Sequence, residues 1–302
     1  MPGRLFHPRL TFIDMWQTLC SSHPNVASYE SAGKTFEGND VWLFKVGNPL
    51  GGKVLYDGCL HGWEDIGAEV EYLYAKWLLE SGDPIAQKIL AQNYSLFVPV
   101  INYDRDERQN ANFQDCQYGT DLNRNFLKNW RQTPCGNYPD CYNGKSAGSE
   151  PETKALRAVF QKYAPAYYLN THYGGGPYLS YYSRASEAEV VARIRELSQP
   201  ETFPWSISTM GAGNGMAIGD AYDFGASAWL FEIASPTAPL VTAGTPYGHT
   251  AHTLADIQNY FFPRILPVCI AFSEASAGPV QVKYAFKQWQ DGDKNPTKTI
   301  VV

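Results

Sequence analysis

The chain has 302 residues, a formal charge of −6, a hydrophobic fraction of 44% and an aromatic fraction of 14%. That composition supports a large core and excludes wholesale disorder, which needs high charge and few aromatics. The acidic balance argues against a nucleic-acid partner, and no run of 18 apolar residues is available to cross a membrane.

In chain order, Met1 to Leu10 carries Arg4, His7 and Arg9 with no apolar stretch, so it does not read as a signal peptide. Residues 8–22 read as an amphipathic helix. Residues 25–33 and 41–46 read as a strand pair around the turn at Gly38-Asn39. Lys53 to Gly58 is a short apolar strand. From Asp65 to Ser81 apolar residues recur at 66, 70, 73, 74, 77 and 78, a helical period. Asp83-Pro84 opens another short helix, and Tyr94 to Val100 is a buried strand. Glu150-Pro151 opens a helix to Tyr163, with Pro in the first turn. Residues 166–171 predict a strand, 187–197 a helix and 228–231 a strand. Residues 251–271 predict a helix kinked near Pro263. This alternation argues for an α/β domain with a mostly parallel or mixed sheet. Residues 1–276 form that domain. The tail, 277–302, alternates like a strand from Val280 to Gln288 and then turns polar; it reads as an edge strand or the start of a second domain.

The chemistry-bearing residues lie where strands end, which is where ligands collect in open α/β sheets. After the first apolar strand comes Cys59-Leu-His61-Gly-Trp-Glu64-Asp65. His61 and Glu64 are three apart at a helix start, so both can reach one ion. Zinc wants a third protein ligand and an open position. His172, ending the strand in Tyr168-Leu-Asn-Thr-His172 ahead of Gly174 to Gly176, supplies one. Gly47-Asn-Pro-Leu-Gly-Gly52-Lys53 only imitates a phosphate loop, because Val54 stands where Ser or Thr is required. The sequon Asn93-Tyr-Ser95 opens an apolar strand and reads as structural. His7, His23, His249 and His252 lack a partner set and read as ordinary polar residues.

A further block, Asp121-Leu-Asn123-Arg124-Asn125-Phe126, completes a pattern: HxxE, then an NRN block, a distal His, and Glu232 after the apolar run Ala228-Trp-Leu-Phe. In this order and spacing the chain resembles the zinc carboxypeptidase family over residues 10–272. The segment Gly33-Lys-Thr-Phe-Glu37-Gly38 is also similar to that family's entry strand. The resemblance implies a single α/β domain with a twisted mixed sheet of about eight strands flanked by helices, and a metallocarboxypeptidase with one Zn2+ held by His61, Glu64 and His172. It implies that Glu232 moves the proton from water to the leaving amine. Asn123 and Arg124 would clamp the terminal carboxylate, for which a planar guanidinium is suited. Asp121 would hydrogen-bond a ligating His. An upstream Arg would stabilise the oxyanion, a role worth roughly 3–4 kcal/mol; Arg108 fits it best, with Arg105 the alternative. The family's loop Tyr has no counterpart at residues 210–212, and Tyr222 is the only nearby phenol. The specificity pocket would lie around Ala217 to Gly219 and Asp220. Small side chains there favour apolar or aromatic C-terminal residues unless Asp220 or another strand contributes a charge.

Within the resemblance, Cys116 and Cys141 flank the NRN block as a disulfide pair does in secreted members, with Cys135 competing for either. Cys20, Cys59 and Cys269 are expected as free buried thiols. The implied partner is a peptide or protein with a free C-terminus. The protein is expected to be a monomer without nucleic-acid or membrane partners, and extracellular rather than cytoplasmic. No inhibitory segment precedes the family-like region in the chain read. Two other readings are a murein-type peptidase or amide deacylase on the same scaffold, and a non-catalytic peptide-binding module.

Overall fold

In the computed structural model of the chain, residues 7–136, 141–173, 178–198, 205–211, 213–233 and 253–277 are described. Their elements follow in order: α1 (Arg9–Ser22), β1 (Ala27–Lys34), β2 (Asp40–Gly47), β3 (Gly52–Asp57), α2 (Asp65–Glu80), α3 (Pro84–Gln92), β4 (Asn93–Val98), α4 (Pro151–Tyr163), β5 (Tyr167–His172), β6 (Tyr178–Tyr182), α5 (Ala188–Ser198), β7 (Ser206–Thr209), α6 (Ala217–Asp223), β8 (Ser227–Glu232), α7 (Leu254–Asp256) and α8 (Phe262–Ser276).

Among the described residues, eight strands form one sheet in the order β1-β2-β4-β3-β5-β8-β6-β7. The four central strands β4, β3, β5 and β8 run parallel. The β1–β2, β2–β4 and β6–β8 pairs are antiparallel, and β6–β7 is parallel, so the sheet is mixed. Alternate strand residues feed two cores, one on each face. Val54, Tyr56, Leu169, Trp229 and Phe231 pack with α1, α2, α3, α5 and α8. Leu55, Tyr168, Ala228 and Leu230 pack with α4 and α6. Trp16 of α1 stacks on Phe44 of β2 at 4.8 Å and is fully buried. Burying a side chain of that kind stabilises by about 1.5–3 kcal/mol.

The sequence does not announce three elements. β6 follows a Gly run and is defined by its pairing with β8. β7 is a short, mostly exposed edge strand without an apolar face. α6 has only seven residues, including Gly219 and two Asp, too few to hold a helix by propensity. Tertiary anchors hold it: Asp220 accepts from Leu127 N and Lys128 N and pairs with Arg157 Nε at 2.6 Å. At the C-terminal helix, Phe262 N donates to Ile257 O five residues back, in a π turn over Ile257–Phe261. Pro263 has no N–H to give, and the chain then straightens into α8, with Pro267 inside it. Gly174 to Gly176, His249, His252 and the tail from Gly278 onward lie outside the described residues.

The disulfide differs from the pairing that the resemblance implied. Cys116 bonds Cys135, with Cα atoms 5.3 Å apart, and Cys141 is a free buried thiol. The Thr133 hydroxyl donates to Cys141 O and accepts from Asn143 N. That turns Cys141 inward, against Gln109 Nε2. Closing a loop with a separation of 19 residues contributes about 3 kcal/mol in the chain-entropy model. Cys20, Cys59 and Cys269 are free and buried. No helix among the described residues is long and apolar enough to cross a membrane.

Candidate metal centre

The parallel strands β3, β5 and β8 end side by side, and the polar residues collect at those ends. After Asp57 the chain turns through Cys59, a non-glycine residue at φ +46°. Such backbone is costly outside glycine, and it delivers His61 to the strand ends. A Cβ at Gly62 would sit 1.8 Å from Arg105 O, so only glycine lets the loop before α2 pass there. His61 and Glu64 occupy that loop rather than the helix itself. Glu64 N donates to His61 O at 3.0 Å, and Glu64 stands at the N-cap position of α2 with its side chain turned to the histidines instead of the helix end.

His172, the last residue of β5, lies beside Glu232, the last residue of β8, in parallel register. In-register neighbours share a sheet face, and adjacent strands are about 4.8 Å apart. His172 Nδ1 is 2.7 Å from Glu64 Oε2, and His61 Nδ1 is 3.0 Å from Glu64 Oε1. The two imidazole rings are 4.9 Å apart between centroids. One donor atom from each of His61, Glu64 and His172 lies within 4.8 Å of the others. All three residues are 3% exposed, which keeps water from competing for the donors. Burial alone would raise the Glu64 pKa, but the two imidazoles hold it well below the usual carboxylate range. Burial likewise opposes protonation of His61, yet Glu64, with Asp121, raises its pKa.

The far side of each ring is also occupied. His61 Nε2 donates to Asp121 Oδ1 at 3.1 Å. Asp121 Oδ2 accepts from Arg108 Nε at 2.8 Å, and Oδ1 also accepts from Asn123 N. That last bond caps the single 3-10 turn Leu122–Arg124 and ties the NRN block to His61. Asp121 is fully buried; desolvation would raise its pKa, but Arg108 and His61 hold it far below the ordinary carboxylate value. His172 Nε2 lies 2.7 Å from Asn170 Oδ1 and 3.0 Å from Asn123 Nδ2. Asn170 Nδ2 donates to Asp57 Oδ1 at 2.8 Å, and burial pushes Asp57 up to about 7 against that bond.

The remaining sequence candidates divide. Arg108 joins the cluster through Asp121. Arg105 turns to the rim, where it donates to Asn110 O and Tyr118 O and covers the exposed Phe113 ring at 4.7 Å. Asn123 is buried, and its Oδ1 accepts from Ala217 N, linking the block to α6. Arg124 is half-buried and donates to Asn123 O. Asn125 anchors the following loop through Asn143 O, Ser146 O and Glu150 N.

Asp220 and Tyr222 are not brought to the His–Glu cluster. The Asp220 carboxylate is engaged by Arg157, Leu127 N and Lys128 N, and Gly219 is buried within α6. The Tyr222 ring stacks on Tyr182 at 4.1 Å, with the Arg184 guanidinium 4.1 Å from its centroid. Tyr182 pairs with Ala228, four residues short of Glu232 and so about 13 Å along the strand. Met210, where the family's Tyr is expected, donates its N–H to Tyr181 O. Asn170 and Asp57 escaped the sequence reading. The signal was present: Asn170 is two residues before a strand-end His, hence on its face of the sheet.

Two imidazoles, each braced from behind, and a carboxylate form a donor set suited to zinc. Three protein donors leave a fourth tetrahedral position for water or substrate. The placement supports this fit, because metal binding requires each ring neutral at its donor nitrogen and both Nδ1 atoms lie beside the Glu64 carboxylate.

A sequence model of the zinc carboxypeptidase family matches residues 12–205. Carboxypeptidase B of Bos taurus is 30% identical over 181 residues, covering 53% of this chain and 43% of its own. Carboxypeptidase O of Homo sapiens is 26% identical over 178 residues, covering 52% and 47%. The chain thus spans less than half the length of these curated relatives. Among solved structures, carboxypeptidase A from Helicoverpa armigera superposes with a TM-score of 0.70 at 20% identity, covering 88% of this chain and 72% of that one. Bovine thrombin-activatable fibrinolysis inhibitor, solved with tick carboxypeptidase inhibitor, superposes at 0.70 with 18% identity, covering 89% and 97%. These structural likenesses establish a shared fold.

Proposed function

The chain belongs to the zinc carboxypeptidase family, and from that premise we propose that it is a metallocarboxypeptidase. In this reading it hydrolyses the last peptide bond of substrates with a free C-terminus. The observation that carries the reading is the convergence of His61, Glu64 and His172 within 4.8 Å, next to the strand end that bears Glu232. These three residues are the proposed zinc ligands, one ion per chain.

Zinc held there supplies Lewis acidity and lowers the pKa of a water molecule to about 7. The residues do the rest. Glu232, on the same sheet face as His172, accepts the proton released by the attacking water and returns it to the departing amine nitrogen. Asn123 and Arg124 hold the substrate carboxylate and set the register of the bond to be cut. Arg108, with its Nε edge fixed by Asp121, turns its guanidinium to the developing oxyanion. Asp121 orients His61. The engagement of Asp220 by Arg157 supports a side-chain pocket without a free acid there, and therefore a preference for apolar or aromatic C-terminal residues. The catalytic unit is residues 1–276, ending with α8. The Cys116–Cys135 bond supports an oxidising, extracellular setting.

The test is a panel of paired peptides, each with a free or an amidated C-terminus. Free acids should be cleaved, amides should be inert, and Arg124→Ala should lose activity on the free acids. Equal cleavage of amides would refute the carboxylate clamp. Cleavage confined to cell-wall stem peptides would replace this reading with the murein-type one.

A further inference from the structure

Behind His172 runs a line of buried side chains that none of the steps above uses. His172 Nε2 lies 2.7 Å from Asn170 Oδ1. Asn170 Nδ2 donates to Asp57 Oδ1 at 2.8 Å, and Tyr168 OH donates to Asp57 Oδ2 at 2.7 Å. Asp57, Tyr168 and Asn170 are completely buried. The sheet builds the line: Asp57 stands opposite Asn170 in the parallel β3–β5 register, and Asn170 shares a face with His172 two residues on.

The chemistry gives the line a direction. Asp57, whose two oxygens accept from Asn170 Nδ2 and Tyr168 OH, turns the NH2 end of Asn170 toward itself. Asn170 therefore presents its oxygen to the ring, and an amide oxygen only accepts. The ring atom facing it is thus Nε2–H. In a neutral imidazole that leaves the lone pair on Nδ1, the nitrogen aimed at Glu64 Oε2. Asn123 Nδ2 also lies 3.0 Å from Nε2, but its amide is turned the other way by Ala217 N, which donates to Asn123 Oδ1. As a donor it suits only an Nε2 without a proton. The two asparagines thus favour opposite tautomers of one ring, and the one backed by Asp57 favours ligation through Nδ1.

We propose that Asp57 and Asn170 are positioning residues that fix the tautomer of His172, with Asp57 acting through the orientation of the Asn170 amide. This rests on the zinc-site reading above. Zinc affinity is measured by competition with a chromophoric chelator, and melting is followed separately in the presence of excess chelator. Asn170→Leu should weaken zinc binding about 10–100-fold, the usual consequence of losing an orienting partner. Asp57→Asn should weaken it less, about 3–10-fold, because an amide can offer Asn170 either end. The double variant should bind no more weakly than Asn170→Leu, within about twofold, since the two act in series. Thr171→Val removes a donor to Asp57 O, outside the line, and should leave affinity within about twofold whatever it does to melting.

In the zinc-loaded parent the His172 Nε2–H proton should give a slowly exchanging downfield resonance, absent in Asn170→Leu. A parent that binds zinc tightly while Asn170→Leu and Asp57→Asn bind equally well would overturn the positioning role and leave the metal site standing. Losses that multiply in the double variant would overturn the series arrangement. A parent that does not bind zinc would overturn both readings. Should Asn170→Leu fail to fold, the near-isosteric Asp57→Asn is judged alone by the same affinity criterion.

Discussion

Substituting Asp121→Asn separates two jobs that one carboxylate performs. Asp121 Oδ1 accepts from His61 Nε2 and Asn123 N, while Oδ2 accepts from Arg108 Nε at 2.8 Å. An amide has one accepting end. It will keep its oxygen toward the two donors and present NH2 to Arg108, donor against donor. Removing one partner of a buried ion pair costs about 3–5 kcal/mol. The Arg108 side chain is 20% exposed, so some of its charge is recovered by water, and about 2–3 kcal/mol is the fair expectation. For a chain of this length, at ~2.1 cal/mol/K per residue, that lowers the melting temperature by about 4 °C. Zinc affinity should fall less than tenfold, because the His61 contact survives; Asp121→Ala, which loses both contacts, should cost about 10–100-fold in affinity. Urea unfolding with excess chelator gives the stability term, and chelator competition gives the affinity. If Asp121→Asn unfolds within about 0.5 kcal/mol of the parent, Arg108 is not held by this carboxylate and the bracing argument fails.

Glu232→Gln should keep zinc at parent affinity and lose turnover by about 10²–10⁴-fold, the range for a general base; a near-normal rate means the proton goes elsewhere. Glu69 is 3% exposed, and burial pushes it up to about 7 despite its contact with His7 Nδ1 at 2.8 Å. Its folded pKa lies above its unfolded value, so the folded state binds the extra proton and stability falls as pH rises from about 4.5 to 7. Glu69→Gln should remove that loss, gaining up to about 3 kcal/mol on the parent between pH 4.5 and 8 by chemical unfolding; a pH-independent difference contradicts the burial argument.

Much of the fold was legible because period decides it. Helices with apolar positions three and four apart, such as α2 and α4, and strands of continuous apolar residues, such as β3, β4 and β8, stand close to where the sequence places them. The elements that escaped are those made by their neighbours. α6 exists because Asp220 is anchored from two directions, and β7 because β6 offers it an edge. The metal cluster was legible because its members carry distinctive chemistry at strand ends. The residues bracing His172 were not, because nothing marks Asn170 and Asp57 until β3 and β5 pair in register. The disulfide partner was not legible, because spacing alone does not tell Cys135 from Cys141. The place of Tyr222 was not legible either, because its ring stacks on Tyr182 of β6, which lies forty residues earlier in the chain.

The central claim is that His61, Glu64 and His172 hold one zinc ion. Metal stoichiometry with X-ray absorption on the purified chain tests it most directly. One zinc per chain is expected, bound by two imidazole nitrogens and oxygen donors, with affinity reduced more than about 100-fold in His61→Ala and in His172→Ala. A chain that takes up no zinc, or that binds it undiminished after both histidines are removed, would contradict the account.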